Sequence, residues 1–430
     1  MSAAMLILLV VFIGLAALRI PVGLAMLAGG IAYLFWTGQD IGLLTDQVAG
    51  RLFASYTLIA IPMFIFAANV MNASRITDQI VSVAAFALGR LPGGMAHANV
   101  ASSVVFSGMS GSAVADVAGP GRVMMRMMTH DGKYTPGFAG AVTAASATIG
   151  PIIPPSIPVV IYASVSNASV GALFLGGIIP GLMMAAAMMA LIALISWRRG
   201  IQAESSVSLR NARSAVLEAI LPLFMPVILL AGIYLGITTA TEAAAVAALY
   251  ALILAGVVYR TLGLAGLYRN LVETVRESAI VAVTIAGAFI ISFAITNERF
   301  PDALAAWVLG LGLSSVWLMI AINVLFLLLG CFLDVSVMLL VLVPLLIPAV
   351  ILSGINLVHF GIVIIVNIMI GLITPPYGLI LFVIASLTDT PLRSIIREVW
   401  PFVTVLVAVL LALALFPGLV LWLPLQLGFR

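Results

Sequence analysis

The heptapeptide Ile149-Gly150-Pro151-Ile152-Ile153-Pro154-Pro155 returns 221 residues later as Ile370-Gly371-Leu372-Ile373-Thr374-Pro375-Pro376, with five of seven positions identical. These are the only two Pro-Pro pairs in the chain, and each stands inside a long uncharged apolar stretch. A proline within a helix has no N–H to donate and its ring collides with the preceding turn, so the pair interrupts the helix. Apolar helices broken at corresponding places in two halves of one chain mark internal repeats arranged around a site at membrane depth. The unwound backbone there offers carbonyls and helix ends to an ion or a small solute.

Composition fixes the solvent. Of 430 residues, 64% are hydrophobic and 8% charged, with a mean hydropathy of +1.29; a soluble domain carries about a quarter charged residues. A span needs about 20 apolar residues, so the chain has room for about 10–11 spans and two re-entrant hairpins but no sizeable soluble domain. The apolar stretch 1–18 has neither a basic leader nor a small-residue cleavage site and reads as a first span. The lone Cys331 excludes an intrachain disulfide and a multi-cysteine metal site. The net charge of +3 reports orientation in the membrane and does not point to nucleic acid.

Basic residues fall in four groups: Arg75, Arg90, Arg122, Arg126 and Lys133; Arg198, Arg199, Arg210 and Arg213; Arg260, Arg269 and Arg276; Arg393 and Arg397. Placed in the cytoplasm, they order the spans. Segments 37–53 and 298–302 fit the outside. Spans fall near 3–18, 20–36 and 54–74. Residues 91–121, rich in Gly, Ser and Ala, lie between Arg90 and Arg122 and cannot cross once; they read as a cytoplasm-facing hairpin. A broken helix follows at 137–165 and a span at 168–197. After the loop and linking span 198–237 come a span at 238–259, an interfacial amphipathic helix at 260–276 and a span at 279–297. A second hairpin at 303–349, a second broken helix at 354–388 and a last span at 400–428 complete the chain. The expectation is one membrane domain over 1–430 with inverted repeats at 20–197 and 238–428.

Candidate chemistry clusters at hairpins and breaks. Ser107-Gly108-Met109-Ser110-Gly111-Ser112 leads to Asp116, and Gly330-Cys331-Phe332-Leu333-Asp334 is its counterpart. Gly and Ser at a hairpin tip free N–H groups, hydroxyls and carbonyls for a carboxylate or for Na⁺, or simply permit tight packing. Asp116 and Asp334 precede Pro154 and Pro375 at similar distances and are functional candidates at membrane depth; helix capping is the alternative for each. Thr143, Ser146 and Thr148 approach the first break, and Asn367 and Thr374 flank the second. Their oxygens suit Na⁺, against a competing reading as local bonds to their own helix. Thr239-Ala240-Thr241-Glu242 is a capping box. His97, His130 and His359 lack ligand spacing. Gly108-Met109-Ser110-Gly111 matches a protease G-x-S-G, but no partner histidine is set within a span, and no other catalytic motif is present. No catalytic residue is assigned, and an enzyme is not expected.

The runs 107–121, 143–158, 239–250, 330–334 and 370–378 together resemble the large membrane subunit of tripartite ATP-independent periplasmic (TRAP) transporters, over nearly the whole chain. The resemblance implies an all-α, inverted-repeat, elevator-type fold in the bacterial inner membrane. It also implies a sodium gradient as energy source, a small four-helix membrane partner, a periplasmic binding protein and an organic-acid substrate such as a C4-dicarboxylate or sialic acid. Carried onto this sequence, it places one sodium region at Ser110, Gly111 and Ser112 with Ile149 to Ile153, and another at Gly330 to Asp334 with Gly371 to Pro375. The full sodium set is then Ser110, Gly111, Ser112, Ser146, Ile149, Gly150, Gly330, Asp334, Asn367, Gly371 and Thr374. Ser107, Ser110, Ser156 and Thr374 are the candidate substrate contacts. Na⁺ is the coupling ion and no other cofactor is expected. Tyr377 stands where the family pattern leads one to expect a smaller residue. The rival reading is a stand-alone sodium/organic-acid symporter of related fold.

Overall fold

Helices make up the chain, and among the described residues there is no strand. The structure is a computed structural model and describes residues 2–74, 76–203 and 209–429. Arg75 and residues 204–208 of the expected loop, and the side chains of Arg210 and Arg213, lie outside the described part.

The element order repeats at the spacing of the Pro-Pro motif. The first hairpin arm Gly94–Ser110 corresponds to Ser315–Gly330, and the half-helices Pro136–Ala147 and Ile157–Ser166 correspond to Leu357–Gly371 and Leu379–Thr388. The return arms each contain one wide π turn, at Val117–Gly121 and Met338–Leu342, again 221 residues apart. Both Pro-Pro bonds are cis.

Three boundaries differ from expectation. The first hairpin does not end at 121: its return arm kinks at Gly119 (φ −88°, ψ −108°), just before Pro120, and resumes as Arg122–His130. Arg122 and Arg126 therefore sit on the arm itself. The second hairpin does not begin at 303: Phe300–Gly310 is a separate helix, and Gly312 at φ 62° and the cap of Ser314 start the arm at Ser315. The region 260–276 is no separate interfacial helix, since Leu264–Asn297 is continuous over 34 residues. No proline interrupts it, and a change from amphipathic to apolar pattern reports surroundings without breaking a helix. Segment 37–53 contains the helix Gly42–Ala54, and a further helix, Ile76–Leu88, follows the third span.

Among the described residues, five helices are long and apolar enough to cross a membrane alone: Val170–Arg199, Ala240–Val258, Leu264–Asn297, Val335–Leu352 and Leu392–Leu415. Shorter apolar helices supply the rest. Large apolar side chains such as Phe35, Trp197 and Leu264 are exposed on the outer helices, as a lipid-facing surface requires. The half-helices before the breaks lie at the centre. In Pro136–Ala147 every residue after Pro136 is buried, and in Leu357–Gly371 nearly all are. A helix apolar all round belongs inside. Small residues permit this: Gly137 lies so close to Ser394 that an added Cβ would stand 2.8 Å from its carbonyl oxygen. Arg199 bonds Glu398 at 2.7 Å and covers the Phe138 ring, tying Val170–Arg199 to Leu392–Leu415.

Around this centre, Val22–Trp36 packs against both Ala3–Ala17 and Leu264–Asn297. Gly23 sets that approach: a Cβ there would come within 2.8 Å of the Val283 and Thr284 backbone. Small residues at such contacts let membrane helices gain van der Waals energy that large ones would forbid. Gly23→Ala should therefore destabilise the protein by about 1–3 kcal/mol. Gly14→Ala, with nothing within 4 Å of the added carbon, should not. Thermal unfolding of the two variants side by side checks this; equal midpoints would mean the contact is not close-packed.

Candidate functional site

Each hairpin tip is seated on a helix break. At the first, Gly111 has φ 59° and a Cβ on it would stand 2.5 Å from the Pro155 carbonyl oxygen and 3.1 Å from Ser156 Cα. Both the left-handed backbone and the close approach require glycine. Ser112 caps the return arm, its hydroxyl accepting from the Ala115 N–H at 3.3 Å. A Cβ on Gly150 would lie 3.5 Å from the Ser112 carbonyl oxygen. Ser110, Gly111, Ser112, Ile149 and Gly150 are thus brought together.

The break itself is a compact coil. Ile149 accepts from the N–H groups of Ile152 and Ile153. Ser156 starts the next half-helix by accepting from Val159 N–H at 3.2 Å, while its own hydroxyl donates to the Pro151 carbonyl. Ser146 and Thr148 donate to the Thr143 and Ala145 carbonyls, the local bonding that serine and threonine often make in helices. Ser107 likewise donates to Val104.

At the second tip, Gly330 and Gly371 touch backbone to backbone: a Cβ on Gly371 would be 2.8 Å from the Gly330 carbonyl carbon. Thr374 donates to the Ile370 carbonyl at 2.7 Å, and Ile380 N–H reaches back across the break to Leu372 at 3.1 Å. Asn367 donates from Nδ2 to both the carbonyl and Oδ1 of Asn323 at 2.7 Å, leaving its own Oδ1 buried without a partner.

The two aspartates are not equivalents. Asp334 caps its arm, Oδ1 accepting from Ser336 N–H at 2.8 Å, which is the role of Ser112 in the first hairpin. Asp116 lies further along its arm and is 1% exposed. The count back from the prolines misled because the repeat is in register: the distances of 38 and 41 residues differ by three, which puts Asp116 opposite Val337 and Asp334 opposite Ala113.

Both tips open on one cavity of about 460 Å³. Ser110, Gly111, Ser112 and Asp334 line it, as do Ser336, Asn69, Asn72 and Glu277. Ser107, Ser146, Ser156, Asn367, Gly330, Gly371 and Thr374 lie off its wall. Asn69 and Glu277 were not singled out from sequence. Asn69 donates from Nδ2 to Thr274 Oγ1 at 3.2 Å and Glu277 Oε2 at 3.4 Å, across two helices. The available signal was position: Glu277 is the last charged residue before the uncharged run 278–297. Among its described residues the wall carries two carboxylates and no Lys, Arg or His, so their field favours cations.

The comparisons with known proteins agree with this architecture. Residues 9–419 match the family described as the tripartite ATP-independent periplasmic transporter, DctM component. The sialic acid TRAP transporter large permease protein SiaM of Vibrio cholerae serotype O1 is 41% identical over 97% of this chain and 98% of its own length. The C4-dicarboxylate TRAP transporter large permease protein DctM of Pseudomonas aeruginosa is 35% identical over 94% of each. The crystal structure of the Alcanivorax borkumensis YdaH transporter superposes with a TM-score of 0.63 over 91% of this chain and 89% of its own, at 16% identity, a likeness of fold alone. With hairpin tips seated on paired helix breaks and a match that runs nearly end to end, this multi-pass membrane protein belongs to the DctM family of large TRAP transporter permeases.

Proposed function

We propose that the chain is the transport subunit of a sodium-driven importer of small organic acids in the bacterial inner membrane. It works with a small membrane subunit and a periplasmic binding protein. Its hairpins and broken helices form two inverted repeats and carry the solute by an elevator movement against the surrounding helices. The observation that carries this reading is the shared cavity onto which both hairpin tips open.

The chemistry of coupling follows from the wall. Helix breaks and tips present carbonyl and hydroxyl oxygens, which suit a hard cation. Asp334 and Glu277 make the cavity unfavourable to a bare carboxylate. Na⁺ bound by Ser110, Gly111, Ser112, Ile149 and Gly150, and by Gly330, Asp334, Asn367, Gly371 and Thr374, supplies the positive charge that an organic acid needs there. The solute is then favourable only with the ion in place, and by linkage it strengthens the ion's own binding. The relatives' printed names support sialic acid or a C4-dicarboxylate as the class of solute.

Sodium dependence of uptake should be cooperative. Ser112→Ala and Thr374→Ala should each raise the sodium needed for half-maximal rate about tenfold, on the scale of lost support at an ion site; Thr374→Ala should leave the unfolding temperature little changed, while loss of the Ser112 cap should cost about 1 kcal/mol. Uptake in liposomes over a sodium series measures this. Uptake that persists with choline in place of sodium, under a proton gradient alone, would remove sodium from the mechanism.

Partner dependence is separately testable. The reconstituted chain alone should move no acid, and adding the small subunit and binding protein should restore uptake. Robust transport by the chain alone would assign it instead to the stand-alone symporters.

A further inference from the structure

A second cavity, of about 420 Å³, lies between the first hairpin and the turn that leads into Leu392–Leu415. One wall is the return arm beyond its kink, with Arg122, Arg126 and Thr129; the other is the end of the half-helix Leu379–Thr388 and the segment 389–391. The same two elements border the central cavity further along, through Val114, Ala115 and Ala118 on one side and Leu379 on the other. The two cavities therefore sit at opposite ends of one seam. From the tip at Ser112 onward, Arg122 and Arg126 are the first basic residues of the arm, and the half-helix facing it has none.

The two arginines stand one helical turn apart, both are exposed, and neither forms an ion pair among the described residues, although Asp389 shares the wall. Like charges at this spacing on a helix repel. Orientation in the membrane asks only for basic charge on this side, not for two guanidinium groups in the wall of a cavity. Across from them a long helix begins: Pro391 lines the cavity and is the N-cap of Leu392–Leu415, with no side chain capping it. The free N–H groups of a helix start favour an anion, and arginine meets a carboxylate with two parallel hydrogen bonds. With two arginines against one aspartate, this wall is positive where that of the central cavity is negative.

The second half of the chain builds its return arm without these groups. At the positions 221 residues beyond Arg122, Arg126 and Thr129 stand Val343, Ile347 and Val350. The repeated frame thus folds with apolar side chains at all three places, and the basic pair belongs to one end of the molecule alone.

We propose that Arg122 and Arg126, with Thr129 and the start of Leu392–Leu415, form an anion subsite at the cytoplasmic end of the seam, which takes the carboxylate of a small organic acid. This rests on the organic-acid reading. In the central cavity the acid needs a cation to offset Asp334 and Glu277; at the subsite the positive charge is built in, so binding there needs no sodium.

The test is binding of radiolabelled succinate and N-acetylneuraminate to the purified full chain with choline in place of sodium, in detergent and in phosphatidylcholine nanodiscs with and without phosphatidylglycerol. At least one acid should bind without sodium. Arg122→Gln and Arg126→Gln should each weaken that binding about tenfold, the scale of one lost hydrogen bond to a charged group. Neither side chain has a partner within the chain, so both variants should unfold at the temperature of the unmodified protein. Arg393→Gln, in the same basic region but off the cavity wall, should bind as the unmodified protein does; an equal loss there would mean a diffuse surface field and overturn the subsite. Arginine-dependent binding of phosphatidylglycerol, with no binding of either acid, would assign the same chemistry to a lipid headgroup and overturn it as well. Sodium-driven uptake by the assembled transporter is followed alongside. Uptake without sodium-free binding overturns this subsite alone, whereas no uptake of organic acid by the unmodified transporter overturns the organic-acid reading and the subsite with it.

Discussion

An unwound peptide segment at membrane depth survives only where protein covers it, since each bare N–H or C=O in hydrocarbon costs several kcal/mol. That constraint organises the molecule. The tips of the two hairpins are the covers, and glycine is what lets them close. Gly111 lies on Pro155 and Ser156, and Gly330 on Gly371. Because the tips must reach the middle, the half-helices bearing the breaks are buried on all sides, and everything facing lipid is relegated to an outer shell. The cavity exists where the two covers meet.

Geometry repeats across the two halves while chemistry does not. The arms, π turns and breaks recur at one spacing, yet Ser112 and Asp334 cap corresponding arms, and Ser146 is matched by Asn367. Both central half-helices are also tied to the first arm of their own hairpin through an asparagine, Asn99 to Thr143 in one half and Asn367 to Asn323 in the other. The tie is kept, but its residues are displaced by one turn. The outcome is two similar frames around a site that is acidic on one side and mainly hydroxyl-bearing on the other.

The sequence made the breaks and the hairpins legible because proline and glycine act locally and charge clusters act at the membrane surface. It marked the tip residues Ser110 to Ser112 for the same reason. Boundaries were harder. Gly119 and Pro120 read as the end of an arm, but they only kink it, and the helix resumes at Arg122. The arginines at 260–276 read as an interfacial helix, but nothing in the backbone separates them from the apolar run that follows. Cavity-facing residues on the outer shell, Asn69 and Glu277, were invisible because lining a cavity depends on which face of a helix a tertiary neighbour leaves open. The parity of Asp116 and Asp334 was an accident of counting that only the packing could resolve.

The long helix Leu264–Asn297 has a counterpart that is not whole. Its 34 residues make a rod of about 51 Å at 1.5 Å per residue, well beyond the hydrocarbon thickness of about 30 Å. At the matching places in the first half stand Gly42–Ala54 and Ala60–Asn72, joined by the short 3₁₀ turn Tyr56–Ile59. The frame is therefore stiff along one flank and jointed along the other. One flank thus crosses as a single unbroken helix, while the other has a 3₁₀ segment at which its direction can change.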